Sequence, residues 1–79
     1  MPKQTAQTAS EKHPGMARWL VAHGTIEFGY CPNTRSAVRV LDEGGLVWQG
    51  RRNYRSFAAV LADCEANVSR LLREEYNER

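Results

Sequence analysis

One apolar stripe near the C-terminus constrains the fold of this 79-residue chain more than any other feature. Its large side chains recur at the three- and four-residue spacing of a single helix face: Phe57, Val60, Leu61, Cys64, Val68, Leu71, Leu72 and Tyr76. The spacing predicts a helix of about twenty residues, about 30 Å long, that must bury one side against another layer. Asn53 or Ser56 can cap its start, and Glu75 and Arg79 form a favourable pair near its end.

The region before this helix predicts three short antiparallel strands. "TIEFGYC" alternates, with Ile26, Phe28 and Tyr30 on one side, as in a half-buried strand. The next two strands are "SAVRVL" and "LVWQG". "PNTR" supplies the first turn, and "DEGG" supplies the second, in which Gly44 or Gly45 takes a positive φ. The three strands therefore form a meander.

The segment "HPGMARWLVAHG" predicts a short helix before the sheet. Pro14 suits the first turn, and Gly24 offers the left-handed residue that commonly closes a helix. One helix face would carry Met16, Trp19, Leu20 and His23. A strand from Ala17 to Ala22 is the competing interpretation. The predicted fold is α+β: a three-stranded antiparallel meander with a long C-terminal helix packed on one face and a short N-terminal helix, in the order α-β-β-β-α, or β-β-β-α without the first helix.

The beginning of the chain differs in composition from the rest. "MPKQTAQTASEK" is polar and shows no period, so we predict a flexible leader over residues 1–12 and one small domain over residues 13–79. The chain is 42% hydrophobic and 25% charged, which is typical of a globular protein. Because it has neither an apolar run of about 18 residues nor a basic-then-apolar N-terminus, the sequence predicts a cytoplasmic protein that makes no contact with membranes.

Residue types that carry catalysis or bind metals do not fall into a known pattern. The sequence lacks a Gly-rich phosphate loop, a His–Glu pair at helical metal spacing and a strand-to-helix nucleophile elbow. Cys31 and Cys64 are too far apart in sequence for paired zinc ligands, and the simpler interpretation is two buried apolar thiols. A nucleophile built from Cys31 with His13 or His23 is the alternative. We therefore predict a protein that is not an enzyme and has no cofactor or metal.

Basic residues gather in the middle of the chain, where residues 31–55 carry five arginines against two carboxylates. The candidate phosphate contacts are Arg51, Arg52, Arg55, Arg35 and Arg39, with Tyr54 or Trp48 placed to stack on a base. Unpaired N–H groups at the start of the C-terminal helix would add positive potential beside them. This cluster predicts weak nucleic-acid binding. The alternative is that the arginines are solvated or pair with acidic residues elsewhere.

The order α-β-β-β-α with a basic strand-to-helix junction resembles the double-stranded-RNA-binding domain over residues 13–76. In that family the lysine-rich start of the second helix grips phosphates, and a loop reads the minor groove. The corresponding stretches are "YRSFAA", whose one basic residue is Arg55, and "CPNTRS", which has no histidine. The resemblance implies the same fold and, through Arg55, contact with RNA phosphates.

A longer string, "GTIEFGY…SAVRVLDEGGLVWQG…YRSFAAVLADCEANVSRLL", more closely resembles a family of small uncharacterised bacterial proteins. That family pairs an "IE-G" strand with a "DEGG" hairpin and a C-terminal helix, which correspond to residues 24–72 of this sequence. The resemblance implies the same domain boundaries and no particular activity.

The exposed parts of the predicted sheet indicate contact with another protein. Such a sheet has two edges and one face not covered by helices, which we expect to carry Glu27, Arg39, Val47 and Gln49. Trp48 is either a core residue or, if it points outward, an anchor for a partner. The leading prediction is a small cytoplasmic, non-enzymatic protein-interaction or homodimerising module, whose partner is an unknown protein or a second copy. Weak nucleic-acid binding is the alternative function.

Overall fold

The computed structural model describes residues 12–77. Within these residues two helices and three strands follow one another as α1 (Pro14–Ala22), β1 (Gly24–Cys31), β2 (Ser36–Asp42), β3 (Gly45–Gln49) and α2 (Phe57–Glu74). The α+β class and the order α-β-β-β-α are therefore confirmed. The predicted leader lies outside the described residues except for Lys12, which is exposed. The predicted pair between Glu75 and Arg79 also lies outside them, because Arg79 falls beyond their end.

The strands form one antiparallel sheet in the order β1-β2-β3. Regular pairing of β1 with β2 runs from Gly24, opposite Asp42, to Phe28, opposite Val38. A bulge follows at Gly29, whose φ of +113° is a backbone conformation that residues with a Cβ rarely adopt. Within the described residues, β2 is paired on both sides, whereas β1 and β3 are the edges of the sheet.

Each hairpin turn contains a residue with left-handed backbone. In "PNTR" this residue is Arg35, with a φ of 55°, and its N–H donates to the Cys31 carbonyl at 2.7 Å. In "DEGG" it is Gly45, with a φ of 119°, while the Asp42 carboxylate accepts a hydrogen bond from the Gly44 N–H at 2.8 Å. Gly45 is thus the one of the two predicted glycines that takes the positive φ.

The core lies between the helices and one face of the sheet. Val38 and Val40 of β2 are fully buried against the apolar stripe of α2, whose buried members are Val60, Cys64, Val68, Leu71 and Leu72. From α1, Trp19 is also fully buried, and its indole N–H donates to the Leu41 carbonyl at 3.1 Å. Within residues 12–77, neither helix combines the length and the apolarity that crossing a membrane requires.

A carboxylate of α2 holds the N-terminus of α1. Glu65 accepts hydrogen bonds from the N–H groups of Gly15 at 2.7 Å and Met16 at 2.9 Å, and the Ser69 hydroxyl donates to the same carboxylate at 2.9 Å. Two of the N–H groups that a helix start leaves unpaired are thereby satisfied, and the negative charge suits that end of the helix dipole. The two helices are tied together by polar contacts as well as by the core.

Several details of the fold differ from the sequence-based expectations. Gly24 does not close α1 in a left-handed conformation, because it is already the first paired residue of β1. Val47 does not lie on the open face, because a bulge in β3 lets it line a cavity with Leu71 and Tyr76 on the helix side. Phe57 is 61% exposed and stands outside the core, since it is the first residue of α2. In contrast, Trp48 packs against the core, which agrees with the first of the two roles predicted for it.

Candidate interaction surface

The guanidinium of Arg39 is bound inside the protein, and the residue is only 8% exposed. Its Nε donates to the Glu27 carboxylate at 3.0 Å, and Nη2 donates to the Gly29 carbonyl at 2.8 Å. Nη1 donates to the carbonyl of Ser36 at 2.8 Å and to its hydroxyl at 3.3 Å. All three nitrogens are therefore used: two bind β1, at Glu27 and at the bulge, and the third binds the first residue of β2. The structure places Arg39 within the sheet and not at the expected phosphate surface.

The structure brings Arg51 and Arg55 together between β3 and α2. With Asn53, Tyr54 and Ala59 they line one depression, which we term the basic groove. The Arg51 guanidinium carbon lies 4.5 Å from the centroid of the Tyr54 ring, so a cation–π contact holds this cation in place. Arg51 is thus partly oriented before any ligand arrives.

Tyr54 supports the basic groove through both its hydroxyl and its ring. Its hydroxyl donates to the Asp63 carboxylate and accepts the Arg51 N–H at 2.9 Å. Burial, together with the bond to Asp63, raises the pKa of the Tyr54 hydroxyl, so it keeps its proton well into the alkaline range. Because the Arg51 guanidinium lies over the ring, that face is not open to a base. Trp48 is half-buried against the core. Neither of the two residues that were predicted to stack on a base is therefore free to do so.

A second depression is also lined by Tyr54, and sequence reasoning missed it. Its lining residues include Phe28, Ala37, Arg52, Tyr54, Phe57 and Val60, and we term it the aromatic groove. Phe28 of β1 and Phe57 of α2 meet edge to face with ring centroids 5.5 Å apart. They are nevertheless 42% and 61% exposed. Exposed apolar surface of this kind is typical of a contact with a partner.

The two grooves adjoin, since Asn53 and Tyr54 line both of them. The arginines are divided between them: Arg52 lines the aromatic groove, whereas Arg51 and Arg55 line the basic groove. Arg35 is exposed in the turn between β1 and β2 and lines neither groove. Three of the five candidate arginines are thus gathered on one surface, together with two phenylalanines that the sequence placed in the core.

The cysteines occupy different environments, and neither is in a disulfide. Cys64 is fully buried, and burial raises the pKa of its thiol to about 12, which fits the predicted apolar role. Cys31 is only half-buried, and hydrogen bonds from the backbone and side chain of Thr34 and from the backbone of Asn33 lower its pKa. Among residues 12–77, no three His, Cys, Asp or Glu side chains are grouped so that they could hold a metal ion.

Comparisons with protein-family models, with curated proteins and with solved structures found no match for this chain. The resemblances to the double-stranded-RNA-binding domain and to the small bacterial family therefore stay predictions. Function has to be inferred from the surface formed by the two grooves and the adjacent edge of β1.

Proposed function

We propose that this domain is a small non-enzymatic protein-interaction module that binds a partner through the edge of β1 and the aromatic groove. The observation that carries the proposal is the exposed Phe28–Phe57 pair beside an edge strand. Each ring keeps apolar surface in contact with water, and burying that surface stabilises a complex by about 25 cal/mol per Å². Aromatic side chains in such positions are frequent anchors of protein interfaces.

The edge of β1 supplies the other half of the surface. Within the described residues β1 pairs only with β2, so its outer N–H and C=O groups are open to an added strand from Gly24 to Phe28. An added strand would gain main-chain hydrogen bonds, while alternate side chains would enter pockets on one face. Because Phe28 belongs to both the strand and the groove, one extended ligand could contact both.

A selection from displayed linear peptides tests this proposal. We expect the domain to select peptides of micromolar affinity, and we expect Phe57→Ser to weaken their binding about tenfold or more, because the serine leaves one wall of the groove open. Val21→Ser is the matched control, since Val21 is an apolar residue of α1 that is 83% exposed and lines neither groove. Peptides that bind the wild type and Phe57→Ser equally well would contradict the proposal, as would a selection that yields no binder.

Binding to nucleic-acid phosphates is a second candidate function, and the basic groove favours it. Arg51 and Arg55 line this groove together, and Arg51 is held by the ring of Tyr54. Cations arranged in this way suit a phosphate backbone, which supplies most of the affinity of non-specific nucleic-acid binding. With Tyr54 and Trp48 engaged in the fold, we expect such binding to be independent of base sequence.

Fluorescence anisotropy with labelled duplex RNA, duplex DNA and single strands checks this second candidate. Binding to phosphates would weaken steeply with salt and would fall about tenfold in a double variant carrying Arg51→Gln and Arg55→Gln. Arg35→Gln is the control, because Arg35 is an exposed arginine outside both grooves. Anisotropy that stays flat at low salt, or an equal loss in the control variant, would exclude the basic groove as a phosphate site.

A further inference from the structure

We infer that the partner segment is acidic: an extended peptide that places an apolar side chain in the aromatic groove and carboxylates beside Arg52, Arg51 and Arg55. This inference rests on the proposed function, because it names the chemistry of the ligand for the same surface. Its basis is the direct juxtaposition of an apolar groove, which includes Phe28 of β1, and a basic groove at the junction between β3 and α2.

The first step is the continuity of the two grooves. Asn53 and Tyr54 line both, so no element separates the surface at Phe57 from the surface at Arg55. Successive residues of an extended peptide advance by about 3.3 Å. A peptide that packs an apolar residue against the two phenylalanines therefore carries its neighbours past Arg52 and toward the basic groove within a few residues. Such a surface would recognise a peptide in which an apolar residue is followed by charged residues.

The second step is the charge of the arginines that line the two grooves. The described ion pairs join Arg39 to Glu27 and Arg70 to Glu74, so within residues 12–77 none is formed by Arg52 or Arg55. The start of α2 lies next to them, and its first turn contains no acidic residue, so the helix dipole adds potential of the same sign. Carboxylates on a ligand are the complementary groups, and arginine binds them with well-defined geometry.

The same charges disfavour a second copy of the chain as the occupant. Two copies that met through the grooves about a two-fold axis would bring the two sets of arginines toward each other, and like charges across an interface cost free energy. Glu27 is the acidic residue of β1, and its carboxylate is already bonded to Arg39. An acidic segment of another protein meets no such repulsion, so it fits the surface better than self-association does.

Two fluorescein-labelled peptides separate this inference from the proposed function. They are Thr-Val-Thr-Phe-Glu-Glu-Glu and its amide counterpart Thr-Val-Thr-Phe-Gln-Gln-Gln, each titrated with the full chain at low salt. We expect the acidic peptide to bind about tenfold more tightly, since several exposed ion pairs contribute modestly and together. A double variant with Arg52→Gln and Arg55→Gln should lose this preference and bind the two peptides with equal affinity, whereas Phe57→Ser should weaken the binding of both. Arg35→Gln should change neither.

The other outcomes are distinct. Equal affinities for the two peptides, both reduced by Phe57→Ser, would overturn the acidic ligand and leave the proposed function standing. Binding of neither peptide would overturn both. A labelled single-stranded oligonucleotide that binds and is not displaced by the acidic peptide would assign the basic groove to nucleic acid instead. A light-scattering mass that doubles with concentration in the wild type, but not in Phe57→Ser, would make a second copy the occupant and would also overturn the inference.

Discussion

Replacing Gly24 by alanine should lower the free energy of unfolding by about 3 kcal/mol. A methyl group at this position would overlap the carbonyl oxygen of Leu41 and lie 2.8 Å from the Cα of Asp42. Both are backbone atoms of β2, so they cannot rotate away as the end of a side chain can. Relief would require β1 to separate from β2 at the end where the Trp19 indole binds the Leu41 carbonyl.

Urea unfolding followed by tryptophan fluorescence measures the effect of Gly24→Ala. Gly44→Ala is the matched control, because a methyl group on Gly44 in the exposed hairpin turn would meet the Asp42 carboxylate at 3.3 Å and no backbone atom within 4 Å. We expect the control to change stability by less than about 0.5 kcal/mol. If the two variants unfold at the same urea concentration, the close approach of β1 and β2 at Gly24 is not a constraint on the fold.

Replacing Glu65 by alanine should lower the free energy of unfolding by about 2–3 kcal/mol. The carboxylate accepts hydrogen bonds from the N–H groups of Gly15 and Met16, and both of these residues are buried. Without Glu65, two buried donors at the start of α1 lose their partner, and desolvated N–H groups are costly. The loss should be concentrated in α1, which carries Trp19 into the core.

Hydrogen exchange at the amides of α1, together with urea unfolding, tests the role of Glu65. Protection should fall throughout α1 in Glu65→Ala, with a smaller change in β2. Glu74→Ala removes a carboxylate from the same helix, but its pair with Arg70 is exposed and long, at 3.6 Å, so we expect a change of less than about 0.5 kcal/mol. Uniform loss of protection, or equal destabilisation by the two variants, would contradict the capping role.

The candidate site was only partly predictable. The sequence placed Arg51, Arg52 and Arg55 at one strand-to-helix junction, because neighbours in sequence are neighbours in space. It also grouped Arg39 with them, although Arg39 lies on a central strand where a guanidinium can be buried once Glu27 and two carbonyls surround it. Nothing in the spacing of charges distinguishes a buried arginine from a solvated one, since Arg39 is buried by partners on the neighbouring strand β1 and at the start of its own strand.

The exposed phenylalanines illustrate the same limit for apolar residues. Alternation in β1 as far as its bulge, and helical spacing in α2, correctly indicated which residues share a side. Beyond the bulge Cys31 lies opposite Ser36, so Tyr30 does not share the side of Phe28 as the alternation predicted. These two patterns could not indicate how far the layer packed against each element extends. Phe28 and Phe57 lie on the apolar sides of their elements and remain exposed because the packed core ends before it reaches them. A surface pair therefore formed from two residues that periodicity assigns to the interior.

The sequence indicated the elements, their order and most of their turns, because apolar periodicity, proline, glycine and helix caps act over a few residues. It thereby determined the α+β class and the position of the stripe from Val60 to Leu72. Packing between the elements decides which arginines are available, which aromatic rings stay in water and which glycine must lack a side chain. Those properties depend on contacts between segments far apart in the chain, such as Glu65 with Gly15 or Leu41 with Gly24, and no local pattern records them.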